Sequence, residues 1–255
     1  MAHIVLAHGI LGFGETPFAI GINYFNGVAK ALSERGHSVF APSVDPLGSL
    51  ERRSEQLANA LAAQWPGEFE MAVIAHSMGG LDARRVINKH RFIGSRSKQL
   101  ITIATPHLGS PVADAVLDKT HSLRAAIPFW WIDALGENTG AIPDLATRTV
   151  LQDPDCAGVH YMEVVCNPGS LVWNSSPFFA LSRAIGNLSG ENDGVVSRSS
   201  ACRPPRAPIA EWPVDHGGAI GWPTNSFGLG AVAAAVRPPE GHIERYLALA
   251  ERLNN

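Results

Sequence analysis

The sequence predicts an α/β fold: a mostly parallel central sheet flanked by helices, carrying a helical insertion in its middle third. Three observations predict it. Short apolar runs alternate with segments of helical periodicity through the first hundred residues, the order that builds parallel sheets. One run, Met71 to Ala75, leads straight into His76-Ser77-Met78-Gly79-Gly80, a small-residue turn between strand and helix. The composition, 45% hydrophobic and 17% charged, supplies a sizeable core and argues against disorder.

The elements follow in order. Ile4 to Ala7 is a short apolar strand ending in His8-Gly9. Tyr24 to Glu34 has helical spacing, with Phe25, Val28, Ala29 and Leu32 on one face and Gly36 as the stop. Ser38 to Val44 is a second strand. Leu50 to Trp65 is an amphipathic helix whose apolar face runs through Leu57, Leu61 and Trp65. After the Met71 to Ala75 strand come a helix over Leu81 to Lys89 and a strand over Leu100 to Ala104. The pattern changes beyond Pro106. Val112 to Leu117 is helical, and Leu123 to Leu135 gathers Ile127, Phe129, Trp130, Trp131 and Ile132 around Pro128. Alternating order returns at Val159 to Val165, a Pro-rich stretch leads to Asp215-His216, and Glu240 to Leu253 closes the chain as an amphipathic helix. With no repeats and no linker, residues 1–255 read as one domain with an inserted cap at about 111–145.

Bulk properties exclude several classes. Net charge is −3 and the pI about 6.4, so nothing draws the chain broadly to nucleic acid or an anionic surface. No stretch is apolar for long enough to span a bilayer. The opening Met1-Ala2-His3-Ile4-Val5-Leu6 lacks the marks of a secretory signal, which leaves a cytoplasmic protein or a secreted mature form. Cys156, Cys166 and Cys202 have no CxxC spacing, so a zinc site is not expected.

Chemistry concentrates at Ala75-His76-Ser77-Met78-Gly79. A nucleophile held in a strained strand-to-helix turn needs small residues two before and two after it, and the helix N-terminus sets backbone N–H groups beside the serine oxygen. Upstream, His8-Gly9-Ile10-Leu11-Gly12 follows the first strand, where Gly9 permits a sharp turn. The amides of Ile10 and Met78 are the candidate oxyanion donors. In serine–acid–histidine order the base lies late in the chain, leaving His216 and His242. His216 is preferred because flanking glycines allow close approach, whereas His242 reads as a solvated helix residue. His8 and His76 read as buttresses and His107 as a lining residue. For the acid, Asn192-Asp193-Gly194 puts a carboxylate at a tight bend. Its rival Asp215 adjoins the histidine, and neighbours in an extended segment point apart.

Together these motifs resemble the bacterial true lipases (family I), most closely the Proteus-type branch of the α/β-hydrolase superfamily. The likeness extends through Ile4 to Phe13, Tyr24-Phe25, Arg35 to Phe40, Thr105 to Ser110, Gly158 to Tyr161 and Asn192 to Ser200. It implies an α/β-hydrolase fold and a triad of Ser77, Asp193 and His216 hydrolysing medium- or long-chain acyl esters through an acyl-enzyme. It also implies a mobile lid between Ser110 and Ala141. Leu11, His107, Ile127, Phe129, Trp130 and Trp131 would then face substrate or a lipid interface. Two features depart from the family. Its structural calcium uses an Asp two residues after the histidine and another upstream of the acid; here stand Gly218 and Asn174. A hard cation wants carboxylate oxygens, so no cofactor is expected. The Pro-rich segment from Cys202 to Pro213 also implies a differently shaped base loop. A thioesterase, polyester depolymerase or acyltransferase would use the same triad, and a non-catalytic receptor is a further alternative.

Overall fold

The computed structural model describes residues 1–12, 23–67, 70–127, 132, 133, 136, 139–169, 177–222 and 241–253. Among the described residues six strands form one sheet: β1 (His3–Ala7), β2 (Ser38–Phe40), β3 (Met71–His76), β4 (Ser97–Ile103), β5 (His160–Cys166) and β6 (Ala210–Trp212). Their order is β2-β1-β3-β4-β5-β6, and every neighbouring pair is parallel. The helices among the described residues are α1 (Val28–Glu34), α2 (Leu50–Gln64), α3 (Met78–Lys89), α4 (Arg91–Gly94), α5 (Pro111–Leu117), α6 (Ala141–Leu145), α7 (Pro177–Ser189), α8 (Arg198–Ala201) and α9 (His242–Arg252).

Strand alternation divides the core into two layers. Ile4, Leu6, Ile74, Ile101 and Ile103 face a layer containing Phe25, Val28 and Leu32 from the α1 region and Tyr246 and Leu249 from α9. Val5, Ala7, Val73, Ala75 and Leu100 face Leu57 and Leu61 of α2 and Ala83 and Val86 of α3. Helices therefore cover both faces, as the continuous apolar strands require. The chain leaves β1 toward β2 on one side, while β3 pairs on the other. The carboxyl ends of β1 and β3 thus flank a topological switch point, where open parallel sheets place their ligand crevice.

Element boundaries differ from expectation for local reasons. Helix α1 starts at Val28 rather than Tyr24, because Asn26 (φ 44°) and Gly27 (φ 89°) are left-handed and cannot belong to a right-handed helix. Strand β2 stops at Phe40 rather than Val44, just before Pro42, which has no N–H for a ladder. The sequence reading does not anticipate α7, nor β6, only three residues long in its Pro-rich surroundings. The insertion expected at about 111–145 begins in α5 and closes in α6. Val112, Val116, Ile142 and Leu145 all enter one core cluster with Met78 and Leu81 of α3. Helix α6 is also tied to the body, the Ala141 amide donating to Leu47 O and the Leu50 amide to Asp144.

Candidate active site

Ser77 sits between β3 and α3 with φ 55° and ψ −132°, a strained conformation for a residue with a Cβ, of the kind that persists where the surroundings over-determine it. Its amide donates to Ile103 O (2.9 Å), and its carbonyl accepts from Thr105 Oγ1 (2.9 Å) and the Gly80 amide (3.0 Å). The glycines after it are dictated by contact. A Cβ on Gly79 would meet Ala7 O at 2.4 Å, and one on Gly80 would meet Thr105 Oγ1 at 2.1 Å. Only bare backbone lets α3 start so close to β1 and β4.

Three side chains from distant parts of the chain meet here. His216 Nε2 lies 3.0 Å from Ser77 Oγ, and His216 Nδ1 lies 2.7 Å from Asp193 Oδ2. The other Asp193 oxygen accepts the amides of Val195 (2.9 Å) and Val196 (2.7 Å), and the His216 amide donates to Asp193 O (2.9 Å). The acid and base loops are thus tied through both backbone and side chain, which holds the imidazole in one tautomer. Asp215 does something else: its carboxylate accepts the Gly218 amide (2.8 Å) and shapes the turn after His216. His242 is corrected from a solvated helix residue to a buried one. Its Nε2 lies 3.1 Å from Phe25 O, and burial pulls its pKa down to about 4.

The loop after β1 completes the site. A Cβ on Gly9 would lie 2.7 Å from Ser77 Cβ and 3.2 Å from Ser77 Oγ, so glycine is required for this approach. Among the described residues, neither the Ile10 nor the Met78 amide donates a backbone hydrogen bond outside the regular elements. Both flank Ser77 as unspent donors, Met78 at the first turn of α3. His8 fixes the loop: its Nδ1 lies 2.8 Å from Gly9 O and its Nε2 accepts the Val44 amide (3.0 Å). Burial, then the neighbouring Arg53, lowers its pKa to about 4, so it stays neutral.

Sequence reasoning missed Arg53. Its guanidinium, wholly buried, donates to His8 O (2.8 Å), Asp45 O (2.7 Å) and Asp82 Oδ2 (2.7 and 2.9 Å). One cation therefore clamps the loop after β1 to α3. The signal was present: Arg53 occupies the apolar face of α2, three residues after Leu50 and four before Leu57.

Other expected lining residues fare differently. Leu11 is exposed (47%) at the loop tip with φ 59°. Ile127 is buried in the α3–α5–α6 cluster. Phe129, Trp130 and Trp131 lie outside the described residues. His107 is corrected: its ring is buried, 3.1 Å from Thr102 Oγ1 and 3.8 Å from Glu163, within a polar cluster rather than along a cleft. The expected calcium position holds Gly218, which offers no side chain, and Asn174 lies outside the described residues. Among the described residues, no group of three or more His, Cys, Asp or Glu side chains is arranged to hold a metal.

Residues 50–138 match the family described as "PGAP1-like alpha/beta domain". The chain is 39% identical over 114 residues to Triacylglycerol lipase 2 of Saccharomyces cerevisiae, covering 41% of this chain and 34% of that protein. It is 33% identical over 115 residues to a triacylglycerol lipase of Vibrio cholerae, covering 44% and 35%. The matches thus span about a third of the length of these curated relatives. Among solved structures, the metagenomic carboxyl esterase MGS0156 matches with a TM-score of 0.74 at 16% identity, over 100% of this chain and 76% of that one. The mature Bacillus licheniformis lipase BlEst2 matches with a TM-score of 0.67 at 23% identity, over 86% of both chains. Staphylococcus hyicus lipase matches with a TM-score of 0.70 at 15% identity, over 99% and 95%. The chain has the α/β-hydrolase fold.

Proposed function

We propose that the chain is a serine carboxylic-ester hydrolase, a lipase or esterase acting on medium- or long-chain acyl esters. The observation that carries this is the unbroken chain from Asp193 Oδ2 through His216 to Ser77 Oγ, with links of 2.7 and 3.0 Å. The sequence likeness to triacylglycerol lipases supports the same chemistry. His216 takes the Ser77 proton as Oγ attacks the ester carbonyl, and Asp193 stabilises the imidazolium that forms. The Ile10 and Met78 amides receive the charge that develops on the carbonyl oxygen. His216 then returns the proton to the leaving alcohol. Water, deprotonated by the same imidazole, releases the acid from Ser77.

The reaction needs no metal or cofactor in this reading, and the base loop is held by protein contacts alone. In this reading the segment between α5 and α6 serves as the lid over the acyl chain, with the exposed Leu11 at the rim. Among the described residues no helix is long and apolar enough to cross a membrane. The test is a chain-length series of p-nitrophenyl esters together with an emulsified triglyceride, run on wild type and Ser77→Ala. Hydrolysis lost in Ser77→Ala supports the reading, and emulsion turnover separates lipase from esterase. Absence of turnover in the wild type would favour a receptor instead.

A further inference from the structure

Behind Ser77, two buried side chains have no place in the reaction described above. Tyr24 and His76 are 6% and 1% exposed, and Tyr24 Oη lies 2.8 Å from His76 Nδ1. The tyrosine touches each wall of the site. Its hydroxyl stands 2.7 Å from where a Gly9 Cβ would be, and its ring edge equally close to a Cβ on Gly12. Its own carbonyl accepts the Trp222 indole N–H (3.1 Å) at the far end of the base loop. His76 in turn packs against the base, with ring centroids 4.6 Å apart at 48°.

Donor and acceptor roles follow from these neighbours. The loop backbone at Gly9 packs against the Tyr24 oxygen, and His76 Nδ1, 2.8 Å away, is that oxygen's hydrogen-bond partner. The hydroxyl proton is then free to go to His76 Nδ1. That leaves the proton of the neutral His76 ring on Nε2, which has no hydrogen-bond partner among the described residues. Burial first, and His216 second, hold His76 far below the usual histidine range, so it remains neutral while its neighbour cycles through imidazolium. A charged ring there would oppose that cycle.

We propose that Tyr24 and His76 are positioning residues: a chain of contacts, Gly9 packed on the Tyr24 hydroxyl, Tyr24 hydrogen-bonded to His76, and the His76 ring packed on His216, sets the distance between oxyanion loop and catalytic base on either side of Ser77. The proposal rests on the hydrolase reading above. Removing the Tyr24 hydroxyl should let the two walls drift without loosening substrate binding. Displacements of about 1 Å in such a constellation cost on the order of 10²-fold in rate.

The test is a double-mutant cycle on a short-chain p-nitrophenyl ester, using Tyr24→Phe, His76→Phe and the double variant. Each single variant should lower kcat by roughly 10- to 100-fold with KM changed by less than about twofold. The double variant should be no slower than the worse single one, because both cut the same chain. His76→Asn, which keeps a polar atom near Nδ1, should recover most of the rate. Circular dichroism and a fluorophosphonate label on Ser77 check that each variant is folded and its nucleophile present. If His76→Phe does not fold, Tyr24→Phe against His76→Leu supplies the cycle. Multiplicative losses, a pure KM effect, or wild-type kcat in Tyr24→Phe would each overturn the proposal while leaving the hydrolase reading intact. Equal rates for wild type and Ser77→Ala would overturn both.

Discussion

Replacing Arg53 with methionine tests the buried clamp under the loop after β1, the proposed oxyanion loop. Methionine keeps much of the volume but removes every donor, leaving Asp82 (1% exposed) without its partner and three carbonyl contacts unmade. Breaking a buried ion pair on one side costs about 3–5 kcal/mol. The pH dependence gives the sign. Asp82 already titrates at about 6 instead of 3.8, because burial outweighs the attraction of Arg53, and Asp144 adds repulsion. A raised folded-state pKa means that the native protein holds the extra proton, so its contribution to stability is full below about pH 4 and is lost as pH climbs through 6. Without Arg53 the carboxyl titrates higher still. The destabilisation measured by urea melts should therefore approach 3–5 kcal/mol at pH 8 and shrink to about 1–3 kcal/mol near pH 5. Ester turnover should fall by roughly 10²-fold as the Ile10 amide loses its fixed place. In the double variant Arg53→Met/Asp82→Leu most of the stability should return. A double variant less stable than Arg53→Met, or a cost that does not change with pH, would refute the account of Arg53 as counter-charge.

Other outcomes follow from the same structure. Ser77→Ala should lower kcat by about 10⁴–10⁶-fold with the fold unchanged by circular dichroism, and Asp193→Asn by about 10⁴-fold. Gly9→Ala should force its loop away from Ser77 and lower kcat/KM by roughly 10²–10³-fold in steady-state assays, since the new methyl would lie 2.7 Å from Ser77 Cβ. Tyr246→Phe removes the hydroxyl that reaches Ala219 O (2.9 Å) beneath the base loop. It should cost about 1–3 kcal/mol in chemical denaturation, because a buried carbonyl loses its donor. Chelator should leave Tm within about 1 °C, because removing a ligand shifts stability only where that ligand was bound. A large drop under EDTA would refute the metal-free reading of the base loop.

The sequence by itself determined what depends on short-range pattern. Alternating apolar runs and helical stripes specify a parallel sheet, because strands buried on both faces must be apolar throughout and their crossovers must be amphipathic. Ala75-x-Ser77-x-Gly79 specifies the turn, because only small residues let α3 start against Ala7 O. Local chemistry also picked Asp193 and His216 over their rivals; in the structure the Asp193 carboxylate accepts two following amides and meets His216, while that of Asp215 accepts the Gly218 amide in its own turn. What the tertiary structure alone decided are roles that depend on neighbours far along the chain. Arg53 reads as a lapse on an apolar helix face until α3 brings Asp82 and β1 brings the His8 and Gly9 carbonyls to it. His107 and His242 read as lining and solvated until packing buries both. Tyr24 shows only as the start of a helical segment, although it meets the loop after β1, His76 at the end of β3 and Trp222 beyond His216 together. A side chain's charge state and partners are set by burial and by what surrounds it in space, and chain spacing carries neither.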